Sequence, residues 1–254
     1  MKTSNILFIL AIATAILGIR STESLYTVTM TADNQPVNMI SSLWLKMYDL
    51  KVTQELPTPV KHIKIRGNGN RVFLDFQEQE ESSLFSRDPQ AFTYSIDFDT
   101  LVIDVLHDYT NIVLKQPTPV EQITIYQATV DANGFNQEKL AINAHDESHF
   151  FANRYNRKQI DNITHLDICA TDRSLVNLEA LKAKTASVTM RHAVLHYSPN
   201  AKIDSLFVTL YGRSSVSSNN KDVVNEINNL IVSGNEQYFQ KKFAGKNVTV
   251  TIRP

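Results

Sequence analysis

Apolar and polar residues alternate in short runs along most of this chain, and the runs recur at a fixed distance. Ile168-Cys169-Ala170, Val188-Thr189-Met190 and Val208-Thr209-Leu210 superimpose at a shift of twenty residues. The flanks keep the register: Leu166, Ala186 and Leu206 coincide, as do Asp172, His192 and Gly212. A constant period near this length is the sequence mark of a stacked-repeat architecture. Within each repeat the apolar residues fall at every second position, which predicts strands and excludes helix for these segments.

The register extends toward the N-terminus. Pro57-Thr58-Pro59-Val60-Lys61-His62-Ile63-Lys64-Ile65 recurs sixty residues later as Pro117-Thr118-Pro119-Val120-Glu121-Gln122-Ile123-Thr124-Ile125. Ile103, Val105, Ile112 and Leu114 fall forty residues after Ile63, Ile65, Val72 and Leu74, which suggests an unbroken period of twenty. The prolines mark corners, where a missing N–H removes no ladder bond. Asp131 to Ile160 breaks the rhythm and reads as an insertion or an irregular coil. Asp222 to Ile231 carries Val223, Val224, Ile227 and Leu230 at helical spacing and reads as a short capping helix, followed by a last strand through Val248, Val250 and Ile252. Leu25 to Met30 alternates as a strand, and Thr31 to Leu56 reads as a connector that caps the first coil.

Twenty residues at about 3.3 Å each give a contour of about 66 Å, enough for one closed coil of two or three short sides. The expected fold is therefore all-β: a single-stranded parallel β-solenoid with rungs of about twenty residues, about eight coils deep at about 4.8 Å per coil. The expected division is 1–24 as signal peptide or short membrane anchor, 25–56 as connector and cap, and 57–254 as the solenoid with its C-terminal cap.

Composition narrows the function classes. The 254 residues carry 25 basic and 26 acidic side chains, a formal charge of -1, so no global field recruits nucleic acid or an acidic lipid surface. The lone cysteine, Cys169, has no internal disulfide partner and reads as a small buried hydrophobe on its strand. Residues 6–19 form an uncharged run behind Lys2. Its length suits a signal h-region better than a full membrane span, although the only Ala-x-Ala, Ala13-Thr14-Ala15, lies inside the run. Cleaved signal and retained anchor both stay open, and either sends the remainder across the membrane.

Taken together, the phrases His62-Ile63-Lys64-Ile65-Arg66-Gly67-Asn68-Gly69-Asn70-Arg71-Val72-Phe73-Leu74, Ser174 to Lys184, Ile203-Asp204-Ser205-Leu206 and Gly212-Arg213-Ser214-Ser215-Val216 resemble the head GIN domain family, exported candidate auto-transporter adhesins common in Bacteroidetes. The likeness covers about residues 57 to 220. Asp172 and His192 stand where the family's turn has glycine, and Val216 comes one place late. The resemblance implies a right-handed β-helix, an N-terminal signal or anchor, and no catalytic residues.

Several groupings contain residue types that carry chemistry in other proteins. Asp97 and Asp99, with Asp104 and Asp108 nearby, would share one strand face, but calcium asks for six to eight oxygens. A polysaccharide lyase would add a base, for which Lys115 is the nearby candidate. His145 and His149 lack the order of a zinc helix, and His192 and His196 lie about 13 Å apart on an extended chain. No Gly-x-Ser-x-Gly elbow is present. Arg154, Arg157 and Lys158, interleaved with Tyr155, form a candidate nucleic-acid patch, and Lys182 with Lys184 and Lys241 with Lys242 add small clusters, but several phosphate contacts on one face are needed and an exported chain near neutrality argues against that role. The sequence thus assigns no catalytic residue, no cofactor and no metal. It points to an exported, periplasmic or cell-envelope protein that binds a protein or glycan, or itself, through outward ladders such as Thr189, Thr209, Asn177 and Ser217. A polysaccharide-active enzyme on the same scaffold and a self-assembling envelope protein are the rival classes.

Overall fold

The computed structural model describes residues 52–152, 161–198, 200–218, 226–234 and 249–253. The expectations for residues 1–51, the Arg154 to Lys158 cluster, Lys241 and Lys242 lie outside them. Among the described residues there is no helix, and nineteen strands build two sheets rich in parallel pairs. The first strands are β1 (Val52–Glu55), β2 (His62–Gly67), β3 (Arg71–Glu78), β4 (Ser83–Ser86), β5 (Phe92–Asp97), β6 (Thr100–Val105), β7 (Thr110–Gln116), β8 (Gln122–Tyr126) and β9 (Thr129–Asn133). There follow β10 (Asn136–His145), β11 (His149–Ala152), β12 (Asp161–Thr171), β13 (Leu175–Leu178), β14 (Leu181–Arg191), β15 (Val194–Tyr197), β16 (Lys202–Tyr211), β17 (Ser215–Ser218), β18 (Glu226–Gly234) and β19 (Thr249–Arg253). The longer sheet runs β19-β18-β16-β14-β12-β10-β8-β2-β6-β5, and the other β1-β4-β7-β3-β9-β11-β13-β15-β17.

Repeat-equivalent residues meet across the longer sheet. Ile168 pairs with Val188 and Val188 with Val208; Ala170, Met190 and Leu210 pair likewise. These side chains point inward and, with Val176, Leu195 and Val216 from the other sheet, join one buried cluster. Cys169, between two inward residues, faces out beside Asn143 and Thr189 and is only partly buried. Strand parity overrides its apolar character.

The long strands bend once. In β14 both Ala183 and Ala186 are buried while Lys184 and Thr185 between them face outward, and the pairing register skips Lys184. Ile163 and Leu166 in β12, and Ile203 and Leu206 in β16, repeat the pattern. Ile227 and Leu230 fit it too, pairing with Ile203 and Leu206 in the strand β18, where the sequence suggests a helix. A spacing of three, read as helical, is how a bent strand keeps both ends facing the core. Residues 222–225 of the expected helix lie outside the described residues.

Two further expectations are corrected near the start. The offset there is thirty-eight residues, since Ile65 pairs with Ile103 and Leu74 with Ile112. A slip of two leaves a period-two pattern in phase, so the sequence does not separate thirty-eight from forty. Moreover β2 lies between β6 and β8, which makes the duplicated phrases direct neighbours: Ile63 faces Ile123. Antiparallel β4 and β5 cover β7 and β6 on the far side. Of Asp131 to Ile160, residues 131–152 hold regular strands, with Ile142 pairing Ile123 on one side and Ile168 on the other, and 153–160 lie outside the described residues. The step from Ile142 to Ile168 is longer than twenty residues, as an insertion requires.

Two buried polar groups hold this framework. At the Pro-Thr-Pro-Val corner, Gln116 is 4% exposed. Its amide accepts from Val60 N at 3.0 Å and donates to Val60 O at 2.8 Å and Thr118 O at 2.6 Å, serving backbone that turns away from any ladder. The fully buried Asp161 accepts from Gly134 N at 2.9 Å and Phe135 N at 3.0 Å through Oδ1, while its Oδ2 has no hydrogen-bond partner among the described residues. Gly134, at φ +90°, lies so close that a Cβ there would come within 2.2 Å of Phe76 O. Burial raises the Asp161 carboxyl to about 7, against the pull of the two N–H groups and with a smaller push from Asp75.

Gln116→Leu leaves the Val60 N–H and C=O unpaired and is expected to lower unfolding stability by about 1–3 kcal/mol in denaturant titration. For Asp161, the folded state binds the proton more tightly than the unfolded chain, so the native form holds more protons between about pH 4 and 7. The contribution of Asp161 to stability is therefore expected to fall as pH rises through that window, while His149, whose pKa is lowered by burial, contributes in the opposite sense. Asp161→Asn, which keeps the acceptor oxygen without the charge, is expected to gain stability relative to the wild type from pH 4 to 7 in denaturant titrations; a difference between the two that does not change with pH would contradict the assignment.

Candidate functional site

Outward side chains on the longer sheet stand in rows, because parallel pairing sets each beside its equivalent at about 4.8 Å. The last row comprises Arg66, Tyr126, His145, Thr171, Arg191 and Tyr211, at the ends of β2, β8, β10, β12, β14 and β16. Tyr126 stacks on His145 with ring centroids 5.2 Å apart, and the Lys64 ammonium lies 5.1 Å from the Tyr126 ring. His145 Nδ1 meets Thr171 Oγ1 at 2.9 Å. Arg66 forms a two-point bond with Asp104, at 2.6 Å and 2.8 Å. Tyr211 is 53% exposed.

Beyond this row the chain turns a corner after β8, β10, β12, β14 and β16, through left-handed backbone. Gln127, Asp146, Asp172, His192 and Gly212 have φ of 49°, 54°, 54°, 55° and 60°, and Glu147 and Arg173 follow at 63° and 64°. Aspartate and glycine tolerate this region best, which accounts for three of the five leading positions. The corners are tied to one another by backbone: Glu147 N donates to Asp172 O, Asp172 N to Arg191 O, Arg173 N to His192 O and His192 N to Tyr211 O. Serines fold inward behind them. Ser148 donates to Ile125 O, and Ser214 donates to Tyr211 O while accepting from Ala193 N. The His192 corner is one residue short, so Leu175 pairs Val194 at nineteen residues and Val194 pairs Ser215 at twenty-one.

Across these turns runs an open hollow of about 650 Å³, lined by Gln127, Asp146, Glu147, Asp172, Arg173, His192 and Arg213. Every lining side chain is polar or charged. Arg173 pairs with Glu147, and Asp172 accepts from Thr171 Oγ1 at 2.8 Å. Arg213 N donates to His192 Nδ1 at 3.3 Å, and the His192 ring lies under Gly212, where a Cβ would come within 2.5 Å of it.

The groupings weighed from sequence do not assemble elsewhere. Asp97 ends β5 and Asp99 sits in the hairpin turn before β6, so no common strand face exists; Phe98 between them has φ 54° and is 94% exposed. Asp99 lies 3.7 Å from His62, Asp104 is bound to Arg66, and Asp108 accepts from Arg71 N and Tyr109 N. Lys115 belongs to β7, in the other sheet. A corner separates His145 from His149, which begins β11 with its pKa lowered by burial and then by Arg71. His196 faces Ser217 at 3.1 Å, away from the corner that holds His192. Asn177, expected as an exposed rung, is 6% exposed, in β13 between Phe151 and His196. Among the described residues no three His, Cys, Asp or Glu side chains group as metal ligands. Sequence reasoning noticed the turns through Asp172, His192 and Gly212 but missed the row beside them, whose only sequence signal is its position one residue beyond the last inward side chain of each strand.

No family model matches the chain, and no curated protein matches it. Solved structures do. A candidate adhesin of Bacteroides fragilis is similar at 13% identity and a TM-score of 0.47, over 80% of this chain and 95% of that one. A candidate adhesin of Parabacteroides distasonis is similar at 12% identity and 0.41, over 80% and 92%. A candidate lipid-binding protein of the same species is similar at 9% identity and 0.33, over 80% and 93%.

Gly212→Ala places a Cβ against the His192 ring at a left-handed position and is expected to destabilise the fold by about 1 kcal/mol or more. In a His192→Ala background the steric part disappears and a smaller backbone penalty remains, so a double-mutant cycle should return a clear coupling between the two positions.

Proposed function

We propose that residues 57–254 form a right-handed single-stranded β-solenoid of the head GIN kind, held outside the cytoplasmic membrane. Its role in this reading is adhesin-like binding without chemistry, with residues 1–24 as the export or anchoring element and 25–56 as the N-terminal cap. The observation that carries the reading is the in-register stacking of Ile168, Val188 and Val208, together with the bend that divides each long strand. Stacking of this kind makes the outside as regular as the inside. A ligand that repeats at the strand spacing then gathers many weak contacts at once, and repetition multiplies affinity without any single strong bond.

Support also comes from how the outward polar groups are already ordered. Thr209 meets Ser233 at 3.1 Å and His165 meets Thr185 at 2.7 Å, both across neighbouring strands. Side chains held this way lose little further freedom when a ligand arrives. Fold by itself warrants no activity, so the reading stands on this surface.

The test is cell fractionation with protease shaving and N-terminal sequencing of the native full chain. The expected outcome is an envelope fraction accessible from outside, with an intact Met1 for an anchor or a trimmed start for a cleaved signal. A chain that stays cytoplasmic and protected would refute the proposal.

A further inference from the structure

We propose that the hollow along the turns, with the end of the longer sheet beside it, binds an acidic oligosaccharide, using Tyr211 as a stacking plate and Arg191 with Arg213 as a carboxylate clamp. The inference rests on the binding role proposed above and names the ligand class. Arg191 and Tyr211 are cross-strand partners, both facing outward because Met190 and Leu210 face in. Their side chains therefore stand next to one another at about the 4.8 Å strand spacing. Arg213 follows two residues after Tyr211, on the rim of the hollow.

Charge separates these two arginines from their neighbours. Arg66, Arg71 and Arg173 each pair with an acid. Among the described residues Arg191 and Arg213 enter no salt bridge. A guanidinium presents a planar fork matched to a carboxylate, and an exposed tyrosine offers an apolar face with a polar tip, which suits the mixed surface of a sugar ring. His192 keeps its ring under Gly212 and accepts from Arg213 N, which fixes the turn that carries the second arginine.

The rest of the hollow selects against other anions. It crosses five successive turns, about 19 Å at the strand spacing, so its occupant is an extended chain. Asp146 and Asp172 line the second and third of the five turns, where carboxylates accept hydrogen bonds from hydroxyl groups but repel further negative charge. A nucleic acid brings a phosphate at every step and meets that repulsion. A docked helix asks for an apolar groove, and no apolar side chain lines this one. What fits is a glycan in which acidic and neutral sugars alternate.

The test is isothermal titration of the full chain with a hyaluronan tetrasaccharide, in which glucuronate alternates with a neutral amino sugar, and with its carboxyl-reduced form. Binding of the acidic form is expected, weaker by about tenfold or more after carboxyl reduction and in Arg191→Gln, Arg213→Gln or Tyr211→Ala. Poly-glutamate is the comparison for charge without sugar and should bind more weakly. Equal binding of acidic and reduced forms, unchanged affinity in Arg213→Gln, tight poly-glutamate binding indifferent to Tyr211→Ala, or no binding of the tetrasaccharide would each overturn the assignment. Failure here, with the chain still found on the outside of the cell, removes the ligand and leaves the adhesin-like role standing; a cytoplasmic chain removes the role.

Discussion

Everything in this protein depends on parallel backbone ladders that set like against like. A strand that slipped by one residue against its neighbour would turn every inward side chain outward, so each strand is held to the register of the last by the apolar contacts of Ile168, Val188 and Val208 and their equivalents. The same constraint dictates the polar interior. Where the chain leaves a ladder, its backbone groups need substitutes, and buried side chains such as Gln116, Ser148 and Ser214 provide them.

The candidate site is the outer side of that ordering. Register in the core places Tyr126 beside His145 and Arg191 beside Tyr211, although many residues separate them in the chain. The left-handed corners follow immediately, and their backbone bonds to one another keep the hollow's floor in place. No long loop is needed to build the surface, because the scaffold itself brings the side chains together.

Much of this was legible in the sequence, for a physical reason. Period two and a repeat of twenty are properties of the core, and core positions are the ones that the fold restricts most. They located β12, β14 and β16 and the residues that meet between them. The failures share a cause as well. An alternating pattern looks the same after a shift of two, which hid the offset of thirty-eight between β2 and β6. An i, i+3 pair is common to a helix and a bent strand, which hid β18. Cys169 and Asn177 were assigned by residue character, whereas their burial follows from parity and from neighbours far away in sequence. The site row escaped because outward residues vary freely and carry no period of their own.

The position of β2 and β3 has one more consequence, for the order in which the molecule assembles. β14 joins β12 and β16 joins β14 across only twenty residues each, so growth there is local and proceeds strand by strand. At the other end β2 receives β6 on one edge and β8 on the other, across thirty-eight and sixty residues of chain. Closing loops of two or three times the length adds only about 0.6 kcal/mol per doubling, yet non-local pairing slows the search for the native arrangement. By that measure the pairings of β12, β14 and β16 close over the least chain, and the ladder of β2 with β6 and β8 carries the larger loop-closure cost.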